Sequence, residues 1–113
     1  MFLTVIQIFI LVATIGVGLF AFVSPTGAAD FTGLSLPGAR GRTEMRAIFG
    51  GLFVGLGLAP LVFPAAAAYQ TVAITYLAIG LARVLGLVMD RSGDRSNWLS
   101  LVVEFVFGFV LLL

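Results

Sequence analysis

Four runs of apolar residues, at positions 2–23, 47–63, 65–89 and 98–113, make up most of the chain, and the breaks between them differ sharply in length and character. Roughly 17 to 25 residues are needed to cross the hydrocarbon as a helix. The first three runs therefore predict transmembrane helices, and the fourth becomes long enough only when it is extended back to Asn97. The pattern predicts an all-α integral membrane four-helix transmembrane bundle in a single domain, 1–113, with spans at about 2–23, 43–63, 65–89 and 97–113. The break at 24–41 contains Pro25, Gly27, Gly33, Pro37, Gly38 and Gly41, which interrupt regular structure. It also carries Phe31, Leu34 and Leu36, so it is expected to lie in the membrane interface, with a short turn of helix. The break at Phe63 and Pro64 permits only a tight hairpin, with Pro64 at a helix start where its missing N–H is not needed.

Periodicity within the runs suggests which faces touch. Ala47, Gly51, Gly55 and Ala59 recur every fourth residue in the second helix, and Ala78, Ala82 and Gly86 form a similar ridge in the third. Small residues in such ridges let backbones approach closely, so the two are expected to face each other, with a homo-oligomer contact as the other use. Thr4, Gln7, Leu11, Thr14 and Gly18 share a face of the first helix that should point inward. The third helix has Tyr69, Tyr76, Arg83 and Asp90 at seven-residue intervals, and the fourth has Asn97, Ser100, Glu104 and Gly108 on one side. A polar seam between the last two helices is the simplest arrangement.

Composition agrees with the pattern: 61% of the 113 residues are hydrophobic and 10% are charged, with a mean hydropathy of +1.21. The first run has no basic residue before it and is too long for the apolar part of a secretory signal, so it reads as a retained helix. There is no cysteine and no histidine. Thiolate chemistry and imidazole ligation of metal or haem are thereby excluded for this chain alone, and no cofactor is expected. A net charge of +1 without a basic cluster gives no reason to expect nucleic acid. All six basic residues are arginines. Arg40, Arg42 and Arg46 follow the first break, and Arg83, Arg91 and Arg95 border the third. The preference of basic residues for the cytoplasmic side predicts both termini outside.

Arg83 and Glu104 stand within apolar runs, at similar distances from the polar turn containing Asp90, Arg91, Asp94 and Arg95. A charge at mid-bilayer costs about 2.5 to 3.5 kcal/mol on insertion scales, so each should face protein and the two are expected to pair. Near the start of the second helix, Thr43 is expected as the N-cap and Glu44 in the first turn, where a carboxylate suits the helix dipole. Arg46 opposes that dipole and should seek a carboxylate, Glu44 or Glu104, or a lipid phosphate. The expected buried polar seam is thus Arg83, Glu104, Tyr76, Arg46 and Glu44. It serves either as a clamp that fixes helix order or as a site for an anion or a proton. No nucleophile with a base at recognisable spacing and no phosphate-binding loop is present, so an enzyme is not expected.

The stretch R-T-E-M-R-A-I-F-G-G-L-F-V-G-L-G-L from Arg42 to Leu58, with G-L-A-R-V-L-G-L-V-M-D from Gly80 to Asp90 and Glu104 beyond, resembles a family of small four-helix bacterial membrane proteins described only as a domain of unknown function. The resemblance covers nearly the whole chain and maps the family pattern onto Glu44, Arg46, Gly50, Gly51, Arg83, Asp90 and Glu104. Pro60 and the expanded polar turn at 91–97 depart from it. It implies four helices in a bacterial inner membrane and supplies no activity. Small multidrug exporters share length and helix count, but their essential glutamate lies in the first helix, where this chain has Gln7. The expected role is a non-catalytic accessory or scaffold subunit, in contact with membrane lipids and other integral membrane subunits of a respiratory or photosynthetic complex. The alternative is a small oligomeric transporter or channel that uses the Glu–Arg pair.

Overall fold

The computed structural model describes residues 1–113 and is all-helical: α1 (Phe2–Val23), α2 (Pro25–Thr32), α3 (Gly38–Glu44), a π-helical segment (Met45–Gly51), α4 (Leu52–Val62), α5 (Ala66–Asp90) and α6 (Arg95–Leu112). α3, the π segment and α4 run on as one helix, Gly38–Val62. This helix, α1, α5 and α6 are each long and apolar enough to cross a membrane. The chain is a multi-pass membrane protein. It divides into two compact units, residues 8–63 and residues 1–7 with 64–113.

In the unit of residues 8–63, α1 meets the long helix backbone to backbone. A Cβ on Gly18 would lie 2.6 Å from the Gly50 carbonyl oxygen and 2.8 Å from the Val54 nitrogen, and one on Gly57 would lie 2.6 Å from the Leu11 carbonyl oxygen. Only glycine fits at these two crossings, and the intimacy of the contact comes from dispersion between closely packed atoms. Ile10, Leu11, Thr14 and Ala21 fill the buried side of α1. Thr14 donates its hydroxyl proton to the Ile10 carbonyl at 2.8 Å, and Thr4 is exposed.

The expected ridge of Ala47, Gly51, Gly55 and Ala59 is not the packed face. All four are exposed, and a Cβ on Gly51 or Gly55 would meet nothing within 4 Å. The buried positions are Met45, Gly50, Gly57 and Pro60. In an α-helix, residues five apart, such as Met45 and Gly50, point roughly 140° apart. The i→i+5 bonding of a π segment turns them toward a common side, and a stripe counted at α-helical spacing misses this.

Thr43 is not an N-cap. The helix begins five residues earlier, with Pro37 in extended backbone (φ −71°, ψ 112°) and Gly38 at φ 75°. The 24–41 connection holds α2, which starts at Pro25 and ends at Gly33 with φ 78°, a left-handed conformation that favours glycine. Ala28 and Ala29 of α2 are buried in a cluster with Ala21 and Met45, and Leu36 packs against it. α2 is thereby tied to the place where two spans end.

The unit of residues 1–7 and 64–113 is built on the α5–α6 hairpin. Pro64 and Ala65 precede α5, and Arg91 ends it in the left-handed region, φ 50°. The expected long turn is shorter than its polar sequence: α6 begins at Arg95 after Asp94, so Arg95, Ser96 and Asn97 belong to the helix and lengthen the marginal fourth span to 18 residues. Large side chains seat on glycines across the hairpin. The Phe105 ring lies 3.2 Å from where a Gly80 Cβ would be, and the Leu77 side chain lies 2.6 Å from a Gly108 Cβ. Tyr76 and Phe107 meet edge to face at 5.5 Å, and Gln7 donates to the Val110 carbonyl at 3.0 Å. The packed side of α5 is Val72, Ala73, Tyr76 and Gly80. The expected ridge lies elsewhere: Ala78 and Ala82 are exposed and Gly86 is half-buried, because Ala78 is turned roughly 140° from Ala73.

Candidate functional site: an arginine–glutamate seam in the last hairpin

Arg83 is seven residues before the end of α5, about 10 Å along the helix from Asp90. That depth lies inside the apolar part of the span, where an isolated cation is costly. Glu104 stands on the facing side of α6 and is buried, at 8% exposure. The two side chains meet in a bidentate fork: Arg83 Nε donates to Glu104 Oε1 at 2.7 Å, and Nη2 donates to Oε2 at 2.6 Å. The planar guanidinium matches the carboxylate in such an arrangement, and charge-assisted bonds of this kind are about twice as strong as neutral ones.

The third nitrogen of Arg83 completes the network. Nη1 donates to Asn97 Oδ1 at 2.8 Å, and the Asn97 amide donates in turn to the Ser92 carbonyl at 2.8 Å and to the Ser92 hydroxyl oxygen at 3.1 Å. Asn97 sits in the first turn of α6, two turns before Glu104, which brings both to the same side of the helix. The seam therefore runs from the interfacial turn through Asn97 to the ion pair. It ties the end of the hairpin to its buried charge. No buried side-chain nitrogen or oxygen of the chain lacks a hydrogen-bond partner.

Tyr76, one heptad before Arg83, is buried and packs on Phe107. Glu44 and Arg46 do not belong to a buried seam. Glu44 is exposed and accepts from Arg40 Nε at 2.9 Å, one turn earlier on the same helix. The early helix start at Gly38 brings Arg40 into that register. Arg46 donates through Nη1 to the Phe22 carbonyl, and its guanidinium lies 5.6 Å from the centre of the Phe22 ring. Phe22 is in the last turn of α1, where carbonyl groups lack helical partners and the dipole favours a cation. Within the chain Arg46 thus finds a helix end, while Glu44 pairs with Arg40 and Glu104 with Arg83. A backbone acceptor leaves no mark in a sequence, so this partner was not legible there. The role of Ser92 was also missed, although Asn97 already stood on the polar face of the fourth helix.

Chemically, the seam is an ion pair whose charges are matched and whose arginine is bonded through all three nitrogens. Three carboxylates converge nowhere in the chain. No curated protein and no solved structure matches the chain. One family model does, over residues 2–113. The chain therefore belongs to the family DUF4345, described as a domain of unknown function.

Proposed function

We propose that the protein is a non-catalytic accessory or scaffold subunit of a larger assembly in the bacterial inner membrane, with both termini outside. The observation that carries this reading is the closure of the Arg83–Glu104–Asn97–Ser92 network. Its charged and amide groups are engaged in holding a hairpin. Each unit also exposes large apolar side chains, Phe9, Phe20 and Phe49 in residues 8–63 and Phe109 in the hairpin unit, and residues 8–63 carry an open ridge at Gly51 and Gly55 that another helix can approach. A protein with this distribution acts through lateral packing. The orientation follows from the arginines, which border the 24–37 and 91–94 connections.

The test is purification from native membranes in mild detergent by a tag on the C terminus, with native mass spectrometry of what accompanies the chain. A larger membrane protein at fixed stoichiometry is the expected result. Recovery only as a monomer or small homo-oligomer, together with proteoliposome flux that disappears in Glu104→Gln, would replace this reading with a transporter.

A further inference from the structure

We propose that the segment from Phe31 to Arg42 is a binding surface for anionic phospholipid headgroups, with Arg40 and Arg42 as phosphate ligands and Phe31 and Leu34 seated in the acyl boundary. It rests on the membrane embedding and orientation given above but not on the accessory role, so the absence of a protein partner leaves it standing.

Ala28 and Ala29 of α2 share a buried cluster with Ala21, in the last turns of the α1 span, and with Met45, in the next span. Leu36 joins the same cluster from beyond α2. These contacts hold the connection at the level where the apolar spans end. On its outer side Phe31 and Leu34 are 49% and 47% exposed, large apolar groups that gain by entering the boundary between headgroups and acyl chains.

The three arginines of this region differ in what already occupies them. Arg46 is bound to the Phe22 carbonyl and ring. Arg40 pairs with Glu44, but the two side chains are 86% and 52% exposed, and an exposed pair of this kind contributes little and exchanges readily. Arg42 is exposed and makes no hydrogen bond or ion pair. Guanidinium groups offer a fork of donors that matches phosphate, and a negatively charged leaflet attracts basic residues next to a span. A ligand that satisfies Arg42 and covers Phe31 and Leu34 together must carry both a phosphate and apolar chains. An anionic phospholipid does, and a soluble anion does not.

The experiment is native mass spectrometry of the full chain equilibrated with an equimolar mixture of phosphatidylglycerol and phosphatidylcholine in detergent. Wild type should retain phosphatidylglycerol in several-fold excess over phosphatidylcholine. R40Q/R42Q should lose most of that excess with unchanged helicity, and Phe31→Ser with Leu34→Ser should lower retention with every charge in place. Millimolar inorganic phosphate should not displace the lipid. Equal retention of both lipids by wild type, or an equal loss in R91Q/R95Q at the other connection, would overturn a local site, and displacement by phosphate would reduce it to a general anion site.

Discussion

The two units of this protein join membrane helices by opposite means. In residues 8–63, α1 and the long helix touch through glycines, with Gly18 and Gly57 pressed against backbone atoms. In the α5–α6 hairpin, glycines receive large side chains, Phe105 at Gly80 and Leu77 at Gly108, and a bidentate ion pair adds a directional contact. Lipid is as apolar as leucine, so helices in a bilayer associate through close packing and polar contacts, without a hydrophobic driving force between them. The first unit relies on closeness and tolerates no added atom at its crossings. The second has room for bulk and depends on a charge match to fix which residues lie opposite each other.

Substitutions separate the two strategies. The largest effect is expected from Gly18→Leu or Gly57→Leu, because the added atoms would overlap backbone that cannot rotate away. Folded yield in detergent should collapse, whereas Gly51→Leu, built into open space, should fold. Next comes Glu104→Leu, which leaves Arg83 without its partner. Breaking a buried pair costs on the order of 3–5 kcal/mol, and the lower end applies here because the Arg83 side chain is 31% exposed. Arg83→Met together with Glu104→Leu should regain much of that loss in denaturant titration; a double variant as unstable as the sum of the singles would deny a direct pair. Asn97→Ala should cost about 1.5–2 kcal/mol, because it removes the acceptor for Arg83 Nη1 and the amide that donates to Ser92 while leaving the Arg83–Glu104 fork in place. Arg46→Met should cost a similar or smaller amount, about 0.5–1 kcal/mol, read as earlier exchange of amide hydrogens in the last turn of α1.

The sequence carried the seam more clearly than the helix faces around it. Arg83 and Glu104 are legible because a charge in an apolar run demands a partner, and their placement about one polar turn names that partner. Tyr76, Glu104 and Gly108 likewise fall on packed faces that simple helical spacing picks out. The ridge at Ala47, Gly51, Gly55 and Ala59 misled because spacing identifies a face without saying what it meets. The contact lies instead on Gly50 and Gly57, one heptad apart, and the π segment brings Met45 to the same side. Thr43 misled in a related way: a good capping residue lies inside a helix that Pro37 and Gly38 had already begun. Arg46 was legible as a cation needing an acceptor, but the Phe22 carbonyl that accepts from it belongs to backbone brought near only by folding.

The proposed function requires that the seam be a clamp and that exposed apolar surface carry the interaction. Native mass spectrometry of the wild type beside the Arg83→Met/Glu104→Leu double variant tests both at once. Both chains should be recovered folded with the same larger membrane partner at the same stoichiometry, since apolar side chains can fill the seam without altering the outer faces. A folded double variant that has lost its partner, or a wild type recovered alone, would contradict it.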